Sequence, residues 1–131
     1  MKKTTISFVL PVFWLLVVTV LYCIPGTKFP KIDWQAKIWL DKWVHVGLFL
    51  LLVISWCWAS SGGRRITNRP LKKIFVTITI LTIFYGICME IIQHYFIPFR
   101  SFDYKDILAN AAGSLIGYFI SVKRYASKFS S

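Results

Sequence analysis

The chain has 131 residues, 56% of them apolar and 16% charged, with a net charge of +11. That length suits one domain, but a soluble domain of this size cannot hide so much apolar surface, and long uncharged runs point to the bilayer. The charge invites a nucleic-acid partner; no nucleic acid is expected, because Lys and Arg fall between the apolar runs, where membrane proteins carry them against loops and lipid headgroups.

Four runs follow in chain order. After Lys2 and Lys3 comes the first, residues 6–24, closed by Pro25-Gly26. No small-x-small cleavage site follows it, and Tyr22 before Cys23 spoils a lipoprotein processing site, so it reads as a retained helix. The second run is 40–59. The stretch Ser60 to Pro70, SSGGRRITNRP, is an ordinary flexible loop. The third run, 74–97, is stopped by Pro98. Inside it Val76-Thr77-Ile78-Thr79-Ile80 alternates like a strand, but some twenty apolar residues without a turn signal make a membrane helix, and Thr can bond back to its own helix backbone. The fourth run, 107–122, is the shortest and begins with polar turns, so partial shielding by the other helices is expected. Each run is near the ~20 residues that cross a hydrocarbon core of ~30 Å. A membrane barrel would need at least about eight segments. The predicted fold is therefore all-α, a four-transmembrane-helix bundle forming a single domain over 1–131. Cys23, Cys57 and Cys88 all lie in apolar runs, form no metal motif and read as small packing residues.

Orientation follows from the basic residues. Lys2, Lys3, Arg64, Arg65, Arg69, Lys72, Lys73, Lys123, Arg124 and Lys128 fall on one side, ten of the sixteen. Lys28, Lys31, Lys37, Lys42, Arg100 and Lys105 fall on the other, together with all five acids, Asp33, Asp41, Glu90, Asp103 and Asp106. Both termini are expected in the cytoplasm. Trp34, Trp39 and Trp43 fit an outer aromatic belt, and Trp56 and Trp58 an inner one.

The scarce polar groups gather at the outer ends. Asp41, Lys42 and His45 begin helix 2. Glu90, Gln93 and His94 are spaced i, i+3, i+4 near the end of helix 3. Asp103, Asp106 and Asn110 share one face entering helix 4, and Gly113 and Gly117 continue it as a small-xxx-small edge that lets helices approach closely, within or between chains. At ~1.5 Å per residue, His45 and Glu90 lie roughly 25 Å from the inner ends and Asn110 roughly 20 Å. Ionisable groups at that depth are costly unless paired or facing a wet cavity. One shared outward-facing pocket between helices 2, 3 and 4 is the economical arrangement.

The residues also carry a resemblance. Asp41-Lys42-x-x-His45, then Glu90-x-x-Gln93, then Arg100-x-x-Asp103-x-x-Asp106-x-x-x-Asn110-x-x-Gly113-x-x-x-Gly117 resemble, in order and spacing, the VanZ-like family of bacterial integral membrane proteins, from about Pro25 to Tyr118. The resemblance implies that Asp41, Lys42, His45, Glu90, Gln93, Arg100, Asp106, Asn110 and Gly113 are family positions; Asp103 fits loosely and His94 lies outside the pattern. It implies multi-pass insertion in the bacterial cytoplasmic membrane and, through the family's namesake, an association with low-level resistance to the lipoglycopeptide teicoplanin.

Plain structural roles compete with functional ones. Asp103 reads as an N-cap, Asp106 as a favourable charge on the helix dipole, Asn110 as an interhelical hydrogen bond, His45 as an interface histidine, and Glu90 as half of an ion pair with Lys42 or Arg100. Their clustering at one depth favours a site. The favoured function is binding or modulation of an envelope component, with Arg100 and Lys42 holding a phosphate or carboxylate of a lipid-linked precursor or anionic headgroup. The alternative is a membrane hydrolase or transferase using Glu90 or Asp106 as base and His45 as acid, for which no nucleophile is evident: Ser101 has no G-x-S-x-G context. A minor metal version recruits His45, Glu90, His94 and Asp106; otherwise the sequence implies no metal and no cofactor. Four helices without a repeat or a broken helix disfavour a secondary transporter.

Overall fold

The computed structural model describes residues 7–24, 40–61, 71–97 and 104–126. Several expectations fall outside the described residues: the basic N-terminus, Pro25-Gly26, Trp34 and Trp39, the loop 62–70, Pro98, Arg100, Asp103 and Lys128. The same holds for the side chain of Asp41.

Among the described residues four α-helices follow in order: α1 Val9–Cys23, α2 Leu40–Ser61, α3 Leu71–Phe96 and α4 Tyr104–Ser121. A short π-helical stretch, Val122–Ala126, follows α4. No strand occurs among the described residues. The strand-like Thr segment is helical throughout. Thr77 donates to Lys73 O at 2.9 Å and Thr79 to Phe75 O at 2.8 Å, so each hydroxyl is satisfied by its own helix. Pro11 sits in the first turn of α1, where a missing N–H costs no helical bond. Helices α3 and α4 each begin three residues before the apolar runs do. Hydropathy excludes Lys72, Lys73, Lys105 and Asp106, yet Lys is a good helix former and Asp106 in the first turn of α4 favours the positive end of the helix dipole, so the backbone is helical through them.

Side-chain contacts fix the topology. Tyr22 at the end of α1 meets His45 near the start of α2 and Asn110 near the start of α4. At the opposite end Phe8, just before α1, lies 6.0 Å in ring centroids from Trp56 of α2. There too, Phe75 of α3 packs with Cys57 of α2 and Tyr118 of α4. Successive helices therefore run antiparallel, up-down-up-down.

The core has two apolar layers. Val18, Tyr22, Phe49 and Met89 fill one, and Val53, Cys57 and Phe75 the other. Close approach of α2 and α4 is what glycine permits. A Cβ on Gly113 would stand 2.3 Å from Val46 O, and one on Gly117 2.9 Å from Leu50 O. The small-residue edge thus serves packing within the chain.

Burial is inverted relative to a soluble protein. Glu90, Gln93, Asn110, Ser114 and Ser121 are buried, while Leu16, Val20, Leu81, Phe84, Leu108 and Phe119 are exposed. Apolar groups outside and polar groups inside are what hydrocarbon as solvent selects. Lys42–Ser61 and Leu71–Phe96 are long and apolar enough to cross a membrane; Val9–Cys23 is a shorter apolar helix. Cys23 is exposed, Cys57 buried and Cys88 half-buried, all as free thiols.

Candidate functional site

All four helices contribute to one polar cluster at the end of the bundle where α1 and α3 finish and α2 and α4 begin. It is built on the close α2–α4 pair. Lys42, in the first turn of α2, places Nζ 2.6 Å from Asp106 Oδ1 in the first turn of α4. Both side chains are largely shielded, at 15% and 14% exposure. A pair this short in a dry setting is charge-assisted.

One turn further in, His45 meets Asn110. His45 Nδ1 lies 2.9 Å from Asn110 Oδ1 and 3.0 Å from the Tyr22 hydroxyl. Asn110 in turn donates its amide N–H to the Tyr22 oxygen at 2.6 Å. The donor side of the amide is thereby committed to Tyr22, and its carbonyl faces the imidazole. Nδ1 must then carry the proton and donate it, which leaves Nε2 as the other face of the ring. Nε2 lies 3.7 Å from Asp106 Oδ2. The Tyr22 ring also packs edge-on to the imidazole at 5.4 Å between centroids. The backbone carbonyl of Asn110 accepts from the Ser114 hydroxyl at 2.8 Å.

Helix α3 supplies Glu90 and Gln93. Glu90 is fully buried. One ligand atom from each of His45, Glu90 and Asp106 falls within 4.8 Å of the other two. Gln93 plays a plainer part. Its amide donates at 3.0 Å to the backbone carbonyl of Tyr22, one of the last carbonyls of α1 and hence without a partner inside its own helix. Gln93 ties α3 to the end of α1.

Of the residues the sequence singles out, the fold gathers Lys42, His45, Glu90, Gln93, Asp106 and Asn110. Asp41 is the second residue of α2, and Arg100 and Asp103 fall outside the described residues. His94 is exposed, with its ring 4.8 Å from that of Tyr95; it does not join the others. Lys42 pairs with Asp106, a combination not among those weighed from sequence.

From sequence Tyr22 is named only as the residue before Cys23, and its place in this network is missed. It sits in the first apolar run and counts as apolar there, yet its hydroxyl is the junction of the network. The available signal was position: a hydroxyl in the last turn of α1 arrives at the same level as His45 and Asn110.

A family model described as VanZ/LLP1 matches residues 6–125. No curated protein matches the chain, and no solved structure does.

Proposed function

The chain belongs to the VanZ/LLP1 family, and from that premise we propose a four-span protein of the bacterial cytoplasmic membrane whose polar cluster opens outward and binds an anionic envelope component. Both termini then lie in the cytoplasm, following the bias of the basic residues. The ligand class is a phosphate or carboxylate carried on a lipid, as in a headgroup or a lipid-linked precursor. The observation that carries this reading is the Lys42–Asp106 pair, which stands at the end of the bundle with a shielded His45 and Glu90 behind it. A phosphate can exchange for the Asp106 carboxylate on the Lys42 ammonium; Arg100, a family position by its spacing, is the residue type that would add a bidentate donor. Asn110 and Tyr22 hold the histidine in place beneath.

The family's namesake makes low-level teicoplanin resistance the phenotype to examine. In a susceptible bacterium expressing this chain, teicoplanin tolerance should rise, and Arg100→Ala and Lys42→Gln should abolish the rise while the protein accumulates normally. Full tolerance in both variants rules out anion recognition by these residues.

A second reading has one observation in its favour. The convergence of His45, Glu90 and Asp106 within 4.8 Å brings an imidazole and two carboxylates to where one water or substrate hydroxyl would link them, which suits a hydrolase or transferase acting on an envelope lipid. Glu90→Gln and Asp106→Asn separate the readings, since they would abolish proton transfer and leave part of the binding.

A further inference from the structure

We propose that His45, Glu90 and Asp106 form a binding site for a first-row divalent cation, with Zn²⁺ the best match. This goes beyond the envelope-ligand reading and stands or falls separately from it. The three ligands come from three helices, α2, α3 and α4, so the site exists only in the folded bundle.

Geometry carries the case. One ligand atom of each residue lies within 4.8 Å of the others. Zinc bonds of about 2.0–2.2 Å set tetrahedral ligand-to-ligand edges near 3.4 Å. His45 Nε2 and Asp106 Oδ2, at 3.7 Å, already stand close to that separation. The remaining contraction is about 1 Å or less per ligand by that same bond geometry, within reach of rotating two carboxylates.

The surroundings match what a metal histidine needs. A ligating imidazole presents one bare nitrogen while its other N–H is held by an oxygen, which fixes tautomer and ring orientation. Here Asn110 Oδ1 holds Nδ1 at 2.9 Å, and the ring face that remains is turned toward Asp106. Asp106 is divided in the same way. Lys42 engages Oδ1 at 2.6 Å, and Oδ2 is the oxygen facing His45. One nitrogen and two carboxylate oxygens suit Zn²⁺ better than Mg²⁺ or Ca²⁺, which prefer oxygen throughout. Three protein ligands leave a fourth position for water or for a ligand oxygen.

The test uses untagged full-length protein in mild detergent, with Cys23→Ser to remove the exposed thiol. After stripping with chelator it is titrated with Zn²⁺, and separately with Co²⁺ as a spectroscopic probe. The expected result is one equivalent per chain and a visible Co²⁺ spectrum of low coordination number. His45→Ala and the near-isosteric Asp106→Asn and Glu90→Gln should lose both, with metal-free melting curves showing that they remain folded. Asn110→Ala should weaken binding about 10–100-fold as a group that positions the ligand, and His94→Ala should leave it unchanged. Substoichiometric binding overturns the proposal. So does stoichiometric binding that survives His45→Ala and Asp106→Asn, or binding that is lost in His94→Ala. Metal failing to bind while an anionic lipid is still retained overturns this site alone.

Discussion

Gly113 and Gly47 make a pair in which the same substitution should act with opposite sign. A Cβ on Gly113 would lie 2.3 Å from Val46 O and 3.0 Å from Val46 C and Cα. These are backbone atoms of α2, so no rotamer change relieves the clash. A carbon and an oxygen need roughly 3.3 Å, so α4 and α2 must separate by about 1 Å, an overpacking that typically costs 1–3 kcal/mol and occasionally more. The strain falls one turn from Asn110 and two from Asp106, so the His45–Asn110 and Lys42–Asp106 contacts loosen with it. At about 4 °C per kcal/mol, Gly113→Ala should lower the melting temperature in detergent by about 4–12 °C. A Cβ on Gly47 meets nothing within 4 Å. Gly47→Ala removes a flexible residue from the interior of α2 and should stabilise by about 0.5–1 kcal/mol, a rise of a few degrees. The assay is thermal unfolding followed by intrinsic tryptophan fluorescence, with both variants measured beside the parent. Equal shifts of the same sign, or an unchanged Gly113→Ala, would refute the close α2–α4 approach.

Other outcomes follow from the polar cluster. Tyr22→Phe keeps the ring and deletes the hydroxyl, so it should cost about 0.5–1.5 kcal/mol; in a double-mutant cycle with Asn110→Ala the two losses should be less than additive, as read from melting curves. Lys42→Met leaves Asp106 shielded without its ammonium and should destabilise by about 1–3 kcal/mol, whereas adding Asp106→Asn should restore most of the loss. His94→Ala, at an exposed position, should shift the melting temperature by no more than the equivalent of about 0.5 kcal/mol.

Much of this arrangement could be read from spacing alone, and the failures have geometric causes. Spacing places Asp106, Asn110, Gly113 and Gly117 on one face of a helix, and Asn110, Gly113 and Gly117 are buried there. Spacing also groups Glu90, Gln93 and His94, but α3 buries Phe75, Thr79, Thr82, Gly86, Met89, Glu90 and Gln93. At about 100° per residue that line is centred near Gly86 and Gln93, which leaves His94 roughly 90° away on the open flank. An i, i+4 relation gives neighbours on a surface; it does not say which flank faces the bundle. Tyr22 was hidden for a different reason. Its ring is apolar by count and only its hydroxyl is chemistry, so a scan for charged and amide residues passes over it. The partner of Lys42 was open for a third reason: pairing across helices depends on register, and the register is set by Gly113 against Val46.

The central claim is that the cluster binds a ligand and is more than glue between helices. Native mass spectrometry of the protein extracted from bacterial membranes in mild detergent tests it most directly, with the parent compared to Lys42→Gln, Arg100→Ala and Asp106→Asn. An anionic lipid or lipid-linked mass should be retained on the parent and lost from Lys42→Gln and Arg100→Ala. Identical bound masses on parent and variants, accompanied by lower melting temperatures in the variants, would contradict it and leave these residues with a structural role alone.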